Sequence, residues 1–188
     1  MTRALALSRL NSSGKFRVVT RWLNGPLRGV AEIYLPYRLY KVSFEDGGVR
    51  RTRYYAIDAA SGALDPYEFV NLPKPHEFEV ETRNCFPVRL AETETRNLAV
   101  QKLRRLLFSR GFFRLSYPQL TAELINPEFY LPYWVGFYGD EQNMNLKVLN
   151  AMRETLEGSK IRRLLQAWLL EKPAEASPLS DVPPKNSI

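Results

Sequence analysis

The aromatic residues of two short segments are the side chains in this sequence best suited to form a binding site. Residues 32–37 read Glu-Ile-Tyr-Leu-Pro-Tyr, and residues 128–133 read Glu-Phe-Tyr-Leu-Pro-Tyr, 96 positions later. If the segments meet, their rings could line a partly open groove that suits an apolar ligand or peptide, or stacked bases. The candidate ligand-binding residues are these rings and their neighbours, with Arg38 at the rim: Tyr34, Tyr37, Arg38, Tyr130, Tyr133 and Trp134. The alternative is that the rings form the core.

Catalytic chemistry has little support in the residue pattern. The sequence contains no Gly-rich phosphate loop, nucleophile elbow or His-Glu-x-x-His helix. Asp46, Asp58, Asp65 and Asp140 lie at predicted turns, where carboxylates cap backbone groups. One histidine and one cysteine cannot build the usual zinc site. We therefore expect no cofactor, no metal and no enzyme activity, and an enzyme built from scattered Tyr, Arg and Asp residues remains an alternative.

The composition is that of a basic globular protein. The chain has 188 residues, of which 45% are hydrophobic, and a net charge of +7, so it can bury a real core and would attract nucleic acid. Because the basic residues are scattered, nucleic-acid binding is the second hypothesis. No run of 18 apolar residues could span a membrane, and Arg9 interrupts any signal-peptide core. The single Cys85 agrees with a reducing compartment, and we expect a cytoplasmic protein.

The aromatic segments are expected to lie on β-hairpins. Residues 31–45 and 49–57 form the first predicted hairpin, with a turn at Glu45-Asp46-Gly47-Gly48. Residues 128–138 and 145–149 form the second. Pro36 cannot donate a ladder hydrogen bond, so it predicts a bulge, a sheet edge or the start of a strand.

Helical periodicity predicts helices over residues 92–109 and 159–170. A shorter helix is expected within 2–10. Arg153 and Glu154 stand where the first hairpin has Ser61-Gly62, and they cannot make a glycine turn at low cost. We therefore expect a helical turn over 151–157 instead, for which Asn150 is a good cap. Three further strands are predicted at 15–23, where a helix is the alternative, at 78–81 and at 112–117.

Flanking matches indicate that the chain contains an internal duplication. Residues 12–17 match 109–114 at an offset of 97, and residues 57–59 match 149–151 at an offset of 92, as Leu64-Asp65 matches Leu156-Glu157. Loops absorb such changes in offset at little cost. The predicted organisation is a first repeat (1–70), a connection (71–90), a second repeat with a C-terminal helix (91–171) and a flexible tail (172–188).

The end of the first hairpin resembles PepSY-type modules. In that family a helix precedes an antiparallel hairpin whose second strand ends in Asp-x-x-Thr/Ser-Gly. Residues 53–64 read Arg-Tyr-Tyr-Ala-Ile-Asp-Ala-Ala-Ser-Gly-Ala-Leu, whereas the second copy lacks the Ser-Gly. The resemblance implies a small regulatory or inhibitory domain without catalytic residues, of the kind found beside peptidases and usually outside the cytoplasm.

These observations predict an α+β fold. Two related helix-plus-antiparallel-hairpin units would form one pseudo-twofold, cystatin/PepSY-like domain. The expected function is a non-enzymatic binding or regulatory module that recognises a protein or a small ligand. An apolar strand face and the C-terminal helix also allow a homodimer.

Overall fold

One antiparallel sheet carries the helices of this protein. The computed structural model describes residues 1–11, 25–46, 48–72, 82, 84–109, 120–140 and 143–171. Within these residues the elements in chain order are α1 (Arg3–Leu10), β1 (Leu27–Asp46), β2 (Val49–Asp58), β3 (Tyr67–Phe69), α2 (Glu92–Ser109), β4 (Thr121–Gly139), β5 (Met144–Asn150), β6 (Thr155–Leu156) and α3 (Ser159–Glu171). The fold is α+β, as predicted.

The sheet places the two hairpins side by side. Its strand order is β3-β2-β1-β4-β5-β6, and each neighbouring pair is antiparallel. Phe69 of β3 and Phe129 of β4 are separated by two strands, which would place them about 14 Å apart in a flat sheet. Their ring centroids are 6.3 Å apart. The sheet is therefore strongly curled, and these rings lie on its concave face.

The long strands β1 and β4 are joined at matching residues. Leu35 of the first hairpin lies opposite Leu131 of the second, with Ile33 opposite Tyr133 and Tyr37 opposite Phe129. Because side chains alternate between the two faces of a strand, all of these residues lie on the concave face. All but Phe129 belong to the largest buried cluster of the described residues, and the half-buried Phe129 packs against it.

The two prolines of the repeated segments lie inside these strands without disrupting them. The carbonyl oxygen of Pro36 accepts a hydrogen bond from Ala59 N–H at 3.0 Å, and that of Pro132 accepts one from Ala151 N–H at 3.1 Å. The nitrogen and carbonyl of a strand residue point to the same side, so each proline nitrogen faces away from the β1–β4 ladder. Neither proline removes a hydrogen bond from that ladder. Pro36 is accordingly within a strand and not at its start. It lies just beyond the last β1–β2 pair, Tyr37 with Asp58, where β1 has a local edge, and the β1–β4 register shifts directly after Tyr37.

Helices cover both faces of the sheet. On the convex face, α2 buries Ala99 and Leu103 against Tyr40, Tyr55 and other residues of the first hairpin. On the same face, α1 buries Ala6 and Leu10 against Trp134 and Leu149 of the second hairpin. Helix α1 therefore covers the hairpin that does not directly follow it, whereas α2 covers the first hairpin together with Ala122 and Leu124 at the start of β4. On the concave face, α3 contributes Ile161, Leu165 and Trp168 to the main core.

The predicted helices and hairpins are confirmed, and the main correction concerns the end of the second hairpin. Residues 151–154 form a turn, and Thr155–Leu156 form β6 where a helical turn was expected. Glu154 adopts a left-handed backbone with φ 55, as Gly62 does with φ 66. A glutamate thus makes the turn for which a glycine seemed necessary.

Some predictions fall on residues that the structure does not describe, and two strands are longer than predicted. The predicted strands at 15–23, 78–81 and 112–117 and the predicted flexible tail (172–188) lie outside the described residues. Strands β1 and β4 begin earlier than expected, at Leu27 and Thr121. Among the described helices, none has the length and apolar character to cross a bilayer.

Candidate functional site

A cavity of about 270 Å³ opens where the two hairpins meet the beginning of α3. Tyr37 and Tyr133 line it from the concave face of the sheet, and Tyr67 of β3 forms a side wall. Residues from the end of the second hairpin and the first turn of α3 complete the lining: Asn150, Arg153, Glu157, Gly158, Ser159, Lys160 and Ile161, with Leu64 and Asp65 from the segment before β3. We call this space the tyrosine cavity.

The buried side of the tyrosine cavity is a pair of tyrosine hydroxyls. The oxygens of Tyr37 and Tyr133 are 2.8 Å apart, and each residue is only 2% exposed. Asn150 Nδ2 donates to the Tyr133 oxygen at 3.4 Å. The hydrogen bond between the tyrosines uses one of their two hydroxyl protons. The other proton has no acceptor among the described residues, although a hydroxyl at this depth normally has one.

Burial keeps both phenols protonated. Loss of hydration raises the pKa of Tyr37 well above its usual 10.0, and the neighbouring Tyr133 raises it further. Burial likewise raises the pKa of Tyr133, with Glu157 adding to the effect, while the hydrogen bond from Tyr37 opposes it. The pair therefore keeps a hydroxyl proton available for donation at any physiological pH, and neither phenol is ionised to act as a base.

The end of β5 fixes the polar wall beside this pair. Asn150 Oδ1 accepts hydrogen bonds from the backbone N–H groups of Met152 and Arg153, at 2.9 and 3.0 Å. Its Nδ2 donates to Glu157 Oε1 at 3.0 Å. Asn150 is the right residue here because one of its ends accepts from a turn and the other donates to a carboxylate.

Charged groups of both signs surround the mouth of the tyrosine cavity. The Arg153 guanidinium carbon lies 4.0 Å from the centre of the Tyr67 ring, a favourable cation–π distance. Lys160 Nζ lies 2.5 Å from Asp65 Oδ1, and both side chains are mostly exposed. These two cations and the carboxylates of Asp65 and Glu157 sum to zero formal charge.

The structure brings two of the six candidate residues to the tyrosine cavity and places the other four on the convex face. Tyr37 and Tyr133 line the tyrosine cavity. Tyr34 and Tyr130 alternate with them along the strands and lie on the convex face, where burial and the nearby Glu128 raise the pKa of Tyr130 to about 12. Trp134 is buried under α1.

Arg38 is engaged away from the tyrosine cavity. Its guanidinium donates to the carbonyl oxygens of Leu90 and Pro127 and to Thr95 Oγ1, at 2.8 to 3.0 Å. These contacts fasten the start of α2 to the sheet, so Arg38 is a structural residue of the convex face.

Sequence reasoning missed most of the cavity wall. Tyr67, Arg153, Glu157 and Lys160 are remote from the aromatic segments in the sequence and approach them only because the sheet curls and α3 folds back. One signal was present: Leu64-Asp65 matches Leu156-Glu157 at the same offset of 92 that relates residues 57–59 to 149–151. That match places two acidic residues, Asp65 and Glu157, at equivalent positions in the sequence after the two hairpins.

No group of three or more His, Cys, Asp or Glu side chains in the described part of the chain is arranged to hold a metal ion. A comparison of the chain with family models, with curated proteins and with solved structures finds no match.

Proposed function

We propose that this protein is a non-enzymatic binding module whose tyrosine cavity holds a small polar ligand without net charge. The observation that supports this most directly is the buried Tyr37–Tyr133 pair, which retains one hydroxyl proton with no acceptor among the described residues. A buried donor left unpaired costs about 1–3 kcal/mol. An acceptor atom of a bound ligand would offset that cost.

The charges of the lining favour a neutral or zwitterionic ligand. Arg153 and Lys160 are opposed by Asp65 and Glu157, so neither an anion nor a cation gains from the overall field. Arg153, Lys160 and the Tyr37–Tyr133 pair offer donors, and Glu157 offers acceptors. A zwitterionic amino acid or a small polyol would find partners for both kinds of group.

The state of the two phenols supports binding over catalysis. General-base or nucleophilic chemistry by tyrosine needs an accessible tyrosinate, and burial raises both pKa values away from neutrality. The Asp58 carboxylate, a conceivable acid or base, accepts backbone hydrogen bonds from Ala60 and Ser61 at 2.8 and 3.2 Å.

We further propose that the module arose by duplication of a helix-plus-hairpin unit, as in the PepSY resemblance. Equivalent contacts support this. Leu35 lies opposite Leu131, and Tyr37 contacts its counterpart Tyr133. Asp58 and Asn150, which correspond at an offset of 92, each accept two backbone N–H groups of the following turn. On this account the tyrosine cavity lies beside the local twofold axis and is lined by residues of both units.

A screen by saturation-transfer NMR tests the function. Four panels of small molecules would be offered to the purified protein: amino acids, monosaccharides and polyols, dicarboxylates, and polyamines. We expect binding in the first two panels and weaker or no binding of the charged panels.

Matched variants locate the binding. The double variant Tyr37→Phe/Tyr133→Phe keeps the rings and removes the hydroxyls, so it should lose the signals. Tyr130→Phe removes a hydroxyl on the opposite face and should keep them. Absence of any binding, or binding that the double variant retains in full, would refute the proposal.

A further inference from the structure

The outer edge of β1 shows how an extended segment binds beside the first of the two prolines. Tyr34 N–H donates to the carbonyl oxygen of Asn84, and Phe86 N–H donates to the carbonyl oxygen of Tyr34, both at 2.9 Å. The segment runs parallel to β1, with Cys85 paired to Tyr34. Phe86 is 2% exposed and its ring stacks on Trp168 with centroids 4.3 Å apart.

The corresponding edge of β4 is unpaired at Tyr130 within the described residues, whereas the Glu128 N–H already donates to Asn126 Oδ1 at 3.0 Å. Pro36 and Pro132 both turn their carbonyls outward to the residue that follows a hairpin, Ala59 or Ala151. Because alternate residues of a strand point their backbone groups to the same side, the N–H and C=O of Tyr130 face outward as those of Tyr34 do. No described residue pairs with them, and the side chain of Tyr130 is 36% exposed.

We propose that this edge, at the free backbone groups of Tyr130, binds an extended peptide segment of a partner protein by β-strand addition. Such edges are used in this way because main-chain hydrogen bonds provide affinity and side-chain contacts provide specificity. The proposal concerns a surface outside the tyrosine cavity and does not depend on the ligand proposed there.

The segment at β1 indicates the chemistry of the partner. It is polar, then small, then aromatic, and its aromatic residue enters the concave face. At the β4 edge the concave face presents the half-buried rings of Phe129 and Phe69. The partner segment would therefore run parallel to β4 and carry a large apolar or aromatic residue one position after the residue opposite Tyr130. A second copy of this chain, related by a twofold axis, would instead pair its β4 antiparallel to this β4. The parallel orientation therefore distinguishes the proposed partner segment from a homodimer.

A synthetic peptide with the sequence of residues 82–88, with Ser replacing Cys85, is a suitable probe: Thr-Arg-Asn-Ser-Phe-Pro-Val. Titrated into the ¹⁵N-labelled full chain, it should shift the backbone amide signals of residues 128–131 in a saturable manner. N-methylation of its Phe amide removes the donor for the Tyr130 carbonyl and puts a methyl group in its place. That change should weaken binding about 2- to 10-fold, the effect of one net hydrogen bond.

The variant Tyr130→Pro tests the protein side. The N–H that this substitution removes points away from β1, as the nitrogen of Pro132 does. The β1–β4 ladder therefore stays intact, and the circular dichroism spectrum should be unchanged. We expect this variant to weaken peptide binding about 2- to 10-fold as well. If it does not fold, the N-methylated peptide alone decides the question.

Three results would overturn the proposal. One is the absence of saturable shifts at residues 128–131. Another is binding that N-methylation leaves unchanged, and the third is concentration-dependent dimerisation in sedimentation that protects the same amides and excludes the peptide.

Discussion

The hydroxyl oxygens of Tyr37 and Tyr133 lie 2.8 Å apart although 96 positions separate the residues in the chain. The contact depends on two features that the halves share: a strand of the same sequence pattern, and an antiparallel pairing centred on Leu35 and Leu131. It brings two buried phenols to the edge of the tyrosine cavity.

The two phenols should contribute unequally to stability. Tyr133 is held by Tyr37 and by Asn150, whereas Tyr37 has Tyr133 as its hydrogen-bonding partner. Tyr133→Phe leaves Tyr37 without that partner and should cost about 2 kcal/mol of unfolding free energy, against about 1 kcal/mol for Tyr37→Phe. Urea denaturation of both variants and of the double variant measures the costs and their coupling. Equal costs with no coupling would show that the hydroxyls do not act as a pair.

Stability should fall at alkaline pH through the same residues. An unfolded tyrosine ionises near pH 10, while burial raises the folded pKa of Tyr37 and Tyr133. Above pH 10 the unfolded chain therefore loses these protons first, and the unfolding free energy declines as pH rises. The slope is at most about 1.4 kcal/mol per pH unit for each tyrosine. Below pH 10 this contribution is fully present.

Denaturation between pH 8 and pH 11 measures this decline. The double variant Tyr37→Phe/Tyr133→Phe should show a shallower slope than the parent protein, and Tyr67→Phe, which alters another wall of the tyrosine cavity, serves as the control. Identical slopes in the parent protein and the double variant would argue against raised pKa values in the pair.

Exchanging the turn residues of the two hairpins should be harmful in both directions. Asp58 accepts with both oxygens: Oδ1 from Ala60 and Ser61, and Oδ2 from the Ser61 hydroxyl at 2.6 Å and Leu64 N–H at 3.4 Å. Asp58→Asn turns one acceptor into a donor facing these donors and should cost about 1–3 kcal/mol.

Asn150→Asp has the opposite fault, because it places a carboxylate 3.0 Å from Glu157 Oε1. Its cost should shrink as pH falls and one of the two carboxylates takes up a proton. Denaturation at pH 7 and pH 4.5 separates the variants, since the cost of Asp58→Asn should not shrink in that way. A pH-independent cost for Asn150→Asp would mean that Glu157 does not lie against it.

Replacing Glu154 should stabilise the protein. This residue has φ 55, a left-handed conformation that costs a non-glycine residue about 1 kcal/mol. Its carboxylate also forms an exposed ion pair with Arg9 at 3.3 Å, worth little. Glu154→Gly should raise the unfolding free energy by about 0.5–1 kcal/mol, as measured by thermal denaturation. Glu154→Gln, which loses the ion pair and keeps the backbone strain, should change it little, and a stabilising Glu154→Gln would assign the effect to charge instead.

The sequence was informative where local physics decides the structure. Helical periodicity located α2 and α3, because their buried stripes are continuous in the chain. The glycine turn and alternating apolar residues located the first hairpin. The repeated segments brought Tyr37 and Tyr133 to notice, although no local signal shows that both face the concave side.

The remainder depends on relationships that the sequence does not express. A left-handed Glu154 cannot be read from propensity, because tertiary contacts of the surrounding turn impose it. Arg38 looked like a rim residue until its guanidinium was found bound to Leu90, Thr95 and Pro127. The approach of Lys160 to Asp65 requires the curl of the sheet and the return of α3.

The measurement that tests the central claim most directly is the affinity of a compound from the amino-acid or polyol panel, determined by isothermal titration calorimetry. The parent protein, Tyr133→Phe and the Tyr130→Phe control should be compared with the same compound. Our account predicts that Tyr133→Phe weakens binding about 10-fold or more, since a buried hydrogen bond and its network are lost, while Tyr130→Phe binds as the parent does. Equal dissociation constants for all three proteins would contradict a binding site at the tyrosine cavity.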